Sequence, residues 1–201
     1  MCKTILHYGP LFALVLFSVF SAAAGQEPMD GVVVTGGVTG VVLCNRQEDV
    51  WTYRIKIKLH AKNAGTEPVI ISGADGMTDF YKIATNLDEL HAKSYAHIGW
   101  VTSGPGDPKS VPAIPVKPFR LVAPNDAVDI NVEVPATVIG ELKPGATYIQ
   151  IVAENWPDYS DAYTEKIKAA WKSHGILWAH SLHPKPIAFP MPAQLKCVRC
   201  T

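Results

Sequence analysis

The chain has no excess of either charge: its 201 residues carry 18 Lys and Arg against 18 Asp and Glu. Nucleic-acid binders show a basic excess or stripe, and polybasic membrane-surface proteins show clusters of Lys and Arg. Near-neutrality argues against both. Catalytic patterns are missing too. The sequence holds no G-x-S-x-G, no H-E-x-x-H, no S-x-x-K and no phosphate loop. That lowers the expectation of an enzyme and leaves open only a site of scattered residues. There is no internal repeat, no low-complexity tract and no linker between domains. No apolar run reaches the roughly 20 residues that a bilayer span needs.

What is present begins at the N-terminus. Lys3 is the only charged residue before Glu27. An apolar run follows from Leu11 to Phe20, broken by Ser18, and the small residues Ser21 to Gly25 close it. A basic start, a short apolar stretch and a small-residue exit are the parts of a secretory signal. Residues 1–25 are therefore expected to be a cleaved signal peptide, and residues 26–201 a single domain, secreted or periplasmic. The chain has four cysteines. Cys2 leaves with the leader, so Cys44, Cys197 and Cys200 remain. An oxidising compartment favours a disulfide, and the simplest pairing joins Cys44 to Cys197 or Cys200. The odd thiol left over allows a covalent dimer.

Strand signals dominate the rest. From Trp51 to Lys62, Tyr53, Ile55, Ile57, Leu59 and Ala61 alternate with Arg54, Lys56, Lys58, His60 and Lys62. Period-2 alternation marks a strand with one buried and one wet face, and the basic row reads as a solvated face that resists aggregation. Val128, Ile130, Val132 and Val134 repeat the pattern, and Thr147 to Ala153 is a further strand. Val32–Val34 and Val38–Cys44 are expected as two strands, interrupted at Gly36 and Gly37 by a bulge or a switch of sheet. Asn63-Ala64-Gly65 reads as a turn, and Pro68–Ser72 as a strand paired to its predecessor. Further strands are expected at Asp79–Ala84, Ile98–Thr102, Ile176–Leu182, Ile187–Phe189 and Gln194–Arg199. Two helices are expected. One spans Asn86–Tyr95, capped by Asn86. The other spans Asp158–Lys172, capped by Ser160 or Asp161, with Tyr163, Ile167, Ala170 and Trp171 on one face and Gly175 at its end. Ser103–Pro118, with five prolines, is a surface connection. The fold class is mostly β: two packed antiparallel sheets, with short helices confined to connections.

Leu142-Lys-Pro144-Gly145-Ala-Thr-Tyr148 precedes a strand. It resembles the tyrosine corner of fibronectin type III and related immunoglobulin-like domains. The resemblance covers about 14 residues, through Asn155, and departs from the pattern at Gln150. It implies an immunoglobulin-like antiparallel β-sandwich with insertions. The C-terminal third also resembles uncharacterised exported bacterial proteins, at Trp171, Gly175, Leu177-Trp178, Ser181 and Pro186–Phe189.

Three functional readings follow. The preferred one is a non-enzymatic binding or interaction module for a protein or glycan partner. It would recognise that partner through end loops, Ser103–Pro118 and Trp156–Tyr159, with Trp156 and Tyr159 as aromatic anchors. Packing of Trp156 beneath a helix with Trp171 and Trp178 is the competing use. The second reading is a zinc or copper site at His180, His183, Cys197 and Cys200. It ranks below a disulfide with surface histidines, because the disulfide removes a ligand. The third is an enzyme with a scattered site. No cofactor is expected. Asp75, Asp79 and Asp107 read as solvated turns, since a single carboxylate-bearing turn falls far short of a calcium shell. Intact-mass measurement of exported protein should show a chain starting after Ala24 or Gly25; a mass that retains Met1 refutes the leader.

Overall fold

The computed structural model describes residues 31–72, 76–77, 80–97, 107–153, 159–192 and 195. The chain is mostly β and sandwich-like, with two short helices among the described residues. The long strands β1 (Val32–Gln47) and β2 (Val50–Asn63) form a hairpin, and β2 also pairs antiparallel with β8 (Ala127–Ile139). A two-residue strand, β4 (Gly76–Met77), lies parallel to β8 and completes the order β1-β2-β8-β4. A second sheet sets β11 (Ile187–Met191), β9 (Gly145–Val152), β5 (Phe80–Ala84) and β6 (Ala96–His97) side by side, all antiparallel. A third, smaller sheet has β3 (Val69–Ser72) between β10 (Ile176–Leu177), parallel to it, and β7 (Phe119–Val122), antiparallel.

The alternation in β2 does what the sequence expects of it. Trp51, Tyr53, Ile55, Ile57, Leu59 and Ala61 are buried, while Lys56, Lys58, His60 and Lys62 are exposed. The inner row of β2 meets Val128–Val134 from β8 and, across the sandwich, Ile83, Ile149, Ile151 and Phe189. Burying one such side chain contributes about 1.5–3 kcal/mol. On the wet face, Arg54 and Lys56 reach Glu133 (3.4 and 3.8 Å), and Lys58 and His60 reach Asp129 (3.4 and 2.9 Å). The hydrogen bond from His60, with help from Lys58, holds the Asp129 carboxyl below its usual range. Exposed pairs of this kind add little stability; they keep the face charged and soluble.

Several expectations change. Gly36 and Gly37 do not break the first strand. β1 is continuous and absorbs its irregularity as register shifts between Val38 and Gly40 and between Leu43 and Asn45. Gly36 permits a close approach: a Cβ there would sit 2.8–2.9 Å from the side-chain methyl groups of Ile187 and Leu59, which would have to shift. β3 pairs with β7 and β10 rather than with β2. The mostly-β, sandwich-like class holds; among the described residues it is built from three sheets, two of which include a parallel pair. The expected strands at Ile98–Thr102 and Gln194–Arg199 lie almost wholly outside the described residues, as does the leader.

Both helices start where capping chemistry places them. α1 (Leu87–Ala92) begins at Asn86, whose side chain accepts from the Glu89 N–H at 2.8 Å. Only Leu90 of its expected face is buried. α2 (Asp161–Trp171) begins at Ser160, whose side chain accepts from the Tyr163 N–H at 3.1 Å. It buries Tyr163, Ile167 and Trp171 against Ile70, Phe119 and Leu177, while Ala170 stays exposed. This cluster is separate from the main core and lies on the other side of β3, which explains why all four β3 residues are buried.

Asn63 is more than a turn residue. It is fully buried at the end of β2. Its Nδ2 donates to the carbonyls of Glu67 (2.8 Å) and Val122 (3.0 Å), and its Oδ1 accepts from the Gly65 N–H (2.9 Å). Its backbone N–H donates to the Asp126 carbonyl and its carbonyl accepts from the Asn125 N–H. One side chain therefore ties β2, the turn into β3, and the β7–β8 connection. Asn63→Asp keeps the size and removes both donors, leaving two carbonyls unpaired. The expected loss is about 3 kcal/mol, read as a lower denaturation midpoint with an unchanged slope; Asn86→Ala, an exposed cap, should cost about 1 kcal/mol.

Candidate recognition surface

The proline-rich connection and helix α2 come together at one end of the smaller sheet. α2 carries two aromatic side chains with polar tips on its buried face, and each needs a hydrogen-bond partner when desolvated. The connection supplies both. The Trp171 indole N–H donates to the Pro112 carbonyl at 2.8 Å, and the Tyr163 hydroxyl donates to the Ser110 carbonyl at 3.1 Å. The Trp171 ring also packs edge-on against Phe119, with centroids 5.0 Å apart. Desolvation, then the nearby Tyr159 and Asp107, raises the pKa of Tyr163, so its hydroxyl remains a donor.

Asp107 closes the arrangement at the other end of α2. Its carboxylate accepts from the Ser160 backbone N–H at 2.9 Å and from the Ser160 hydroxyl. The same hydroxyl oxygen caps the helix by accepting from the Tyr163 N–H. Hydrogen bonds from the Ser160 side chain and backbone hold the Asp107 carboxyl below its usual range, and the positive charge of Lys166 adds to the effect. A negative charge at a helix N-terminus is also favoured by the helix dipole. The 107–118 segment is thus a strap fixed at three points. It displays Ile114 and Val116, 59% and 43% exposed.

Of the anchors expected from the sequence, Tyr159 is half-buried and packs edge-on against Tyr163, with centroids 4.9 Å apart. Trp156 lies outside the described residues. Its proposed companions separate: Trp171 belongs to the cluster under α2, and Trp178 to the main core. Asp107 has the sequence setting of a solvated turn and is instead tied to Ser160. The available signal was on the other side, in the buried indole and phenol of α2 that had to find acceptors.

The Leu142–Gly145 turn is held by a tyrosine from elsewhere in the chain. Tyr148 is half-buried on β9, and its neighbours Thr147 and Ile149 point inward. The hydroxyl that accepts from the Leu142 N–H, at 3.1 Å, is that of Tyr53 on β2. Burial raises the Tyr53 pKa and keeps that hydroxyl neutral. Tyr81 makes a comparable bridge: its hydroxyl accepts from the Thr137 N–H (2.8 Å) and donates to the Thr137 carbonyl (3.2 Å).

His180 is half-buried and stacks edge-on with Trp178 at 5.5 Å; His183 is exposed, although desolvation still holds its pKa below the ordinary value. Cys197 and Cys200 lie outside the described residues. Among the described residues no three His, Cys, Asp or Glu side chains converge on a common point. Cys44 sits half-buried on β1 and is not a free thiol.

No protein-family model, curated protein or solved structure matches the chain. Its class is accordingly defined by architecture alone, a mostly-β sandwich-like domain with a helix strapped over its smaller sheet.

A carboxyl whose pKa is depressed in the folded state stabilises above its unfolded pKa, and the effect is lost as pH falls through the folded value. The Asp107–Ser160 contact should follow that rule. Amide-exchange protection at Ser160 should decrease as pH falls below the usual carboxylate range, and Asp107→Asn should abolish that dependence.

Proposed function

We propose that the chain is an exported, non-enzymatic binding or interaction module, secreted or periplasmic, with a protein or glycan partner. The observation that carries this reading is the strap. Apolar residues on a free loop lose much conformational freedom on binding, whereas Ile114 and Val116 are displayed on a segment already fixed at Asp107, Ser110 and Pro112. Preorganisation of this kind converts contact into affinity, because less ordering remains to be done. Tyr159 borders the same surface through its contact with Tyr163, and Trp156 is three residues away in the chain.

Other features support the setting. The basic start, apolar run and small-residue exit of residues 1–25 support export. The engaged state of Cys44 supports a disulfide to Cys197 or Cys200, which would restrain the unfolded chain between distant ends. The sandwich-like architecture supports an immunoglobulin-like assignment, in which loops at one end of the sheets do the binding.

A photo-crosslinking residue at position 114 of the exported full-length protein, in its native host, tests the reading. A discrete adduct formed from position 114, absent from position 139 and lost with Trp156→Ala, is the expected result. Equal labelling from both positions, or none from position 114, overturns it.

A further inference from the structure

A second surface lies on the opposite flank of α2. The segment that leaves the helix turns back at Gly175, where a Cβ would come within 2.6 Å of the Pro68 carbonyl oxygen, and enters β10 at the margin of the smaller sheet. The Ile176 N–H donates to the Pro68 carbonyl (2.9 Å) and the Trp178 N–H to the Ile70 carbonyl (3.0 Å). Main-chain groups of an extended segment point alternately to its two sides. The N–H and C=O of Leu177 therefore face away from β3, and neither bonds to another described residue.

They face a groove. An open depression of about 960 Å³ runs between this edge and α2, floored by Ile176, Leu177 and Ala179. Its helical wall carries Glu165, Lys168 and Lys172, and Glu67 stands on the β3 side, before Pro68. Lys168 is neutralised by Glu165 at 2.7 Å. Lys172 is exposed and has no ion-pair partner among the described residues. Ile176, 45% exposed, offers an apolar contact beside it.

We infer that this groove takes an extended peptide segment bearing an acidic side chain, added as a strand to the β10 edge. The unpaired main-chain groups of Leu177 demand a partner with its own alternating N–H and C=O groups, which a polypeptide has and a carbohydrate or lipid lacks. Strand addition gives affinity through those bonds, and pockets beside the edge select side chains. Lys172 sets the preference for a carboxylate, and Ile176 for an apolar neighbour. The inference rests on reading the domain as a binding module, but it uses a surface separate from the strap.

The test uses the full mature chain and three sets of synthetic extended peptides, acidic, basic and neutral, with amide NMR as readout. The expected result is binding of the acidic set, with the Leu177 and Ala179 amides shifted. Single N-methylation along a bound peptide should weaken binding at the residue whose N–H donates to the Leu177 carbonyl and little at its immediate neighbours. Lys172→Glu, an exposed change that should leave the fold intact, should weaken acidic peptides about fivefold. Failure of all three sets to bind overturns the inference, and so does binding indifferent to N-methylation and to Lys172→Glu. Equal binding of polygalacturonate, an acidic polymer without amides, also overturns it. Crosslinking from position 114 tests the module reading independently, so the two can fail separately.

Discussion

The register of β2 against β8 is the constraint on which the rest of the molecule depends. Tyr53 lies opposite Ala136, Ile57 opposite Val132 and Ala61 opposite Val128. A slip of one residue would turn the Lys and Arg row inward and the isoleucines outward. The same inner row carries two polar fasteners. Tyr53 accepts from the Leu142 N–H and so fixes the approach to β9, and Asn63 holds the turn into β3 and the β7–β8 connection. The second sheet and the smaller sheet are therefore both positioned from one strand.

Much of this was legible because alternation is a local signal. β2, β8 and β9 are marked by their own side chains, and the caps Asn86 and Ser160 by theirs. What was not legible depends on which distant groups meet. Asn63 carries the composition of a turn residue, and its burial is decided by β7 and β8, far along the chain. The Leu142 turn is followed by a tyrosine at the expected spacing, yet the hydroxyl it meets comes from Tyr53. Gly36 and Gly37 signal permissive backbone, and the sequence does not say whether the freedom is spent on a break or on the approach of Ile187. The third sheet leaves no local mark for a similar reason, since β10 is two residues long and owes its place to β3.

The candidate site was legible in part. The proline-rich segment and the aromatic segment before α2 both stand out in composition, and the structure joins the described portion of the first to the helix that follows the second. The means of joining was not visible. A backbone carbonyl such as that of Pro112 leaves no trace in composition, and Asp107 between Gly106 and Pro108 looks like any exposed turn. The edge at Leu177 was invisible for the opposite reason: its chemistry is main-chain chemistry, identical in every residue but proline.

The long separation between β2 and β8 has a consequence for how the chain reaches this state. β1 and β2 can zip together as a hairpin as soon as both have emerged, but β8 is made only after β3 to β7. Until then the isoleucine row of β2 lacks its neighbour in the sheet, and the opposing layer is complete only later still, once β9 and β11 have joined β5. Non-local pairing of this sort is slow, and a waiting apolar hairpin is open to association with others like it. The row of Arg54, Lys56, Lys58 and Lys62 then has its greatest value before the fold exists, as charge that holds unfinished chains apart.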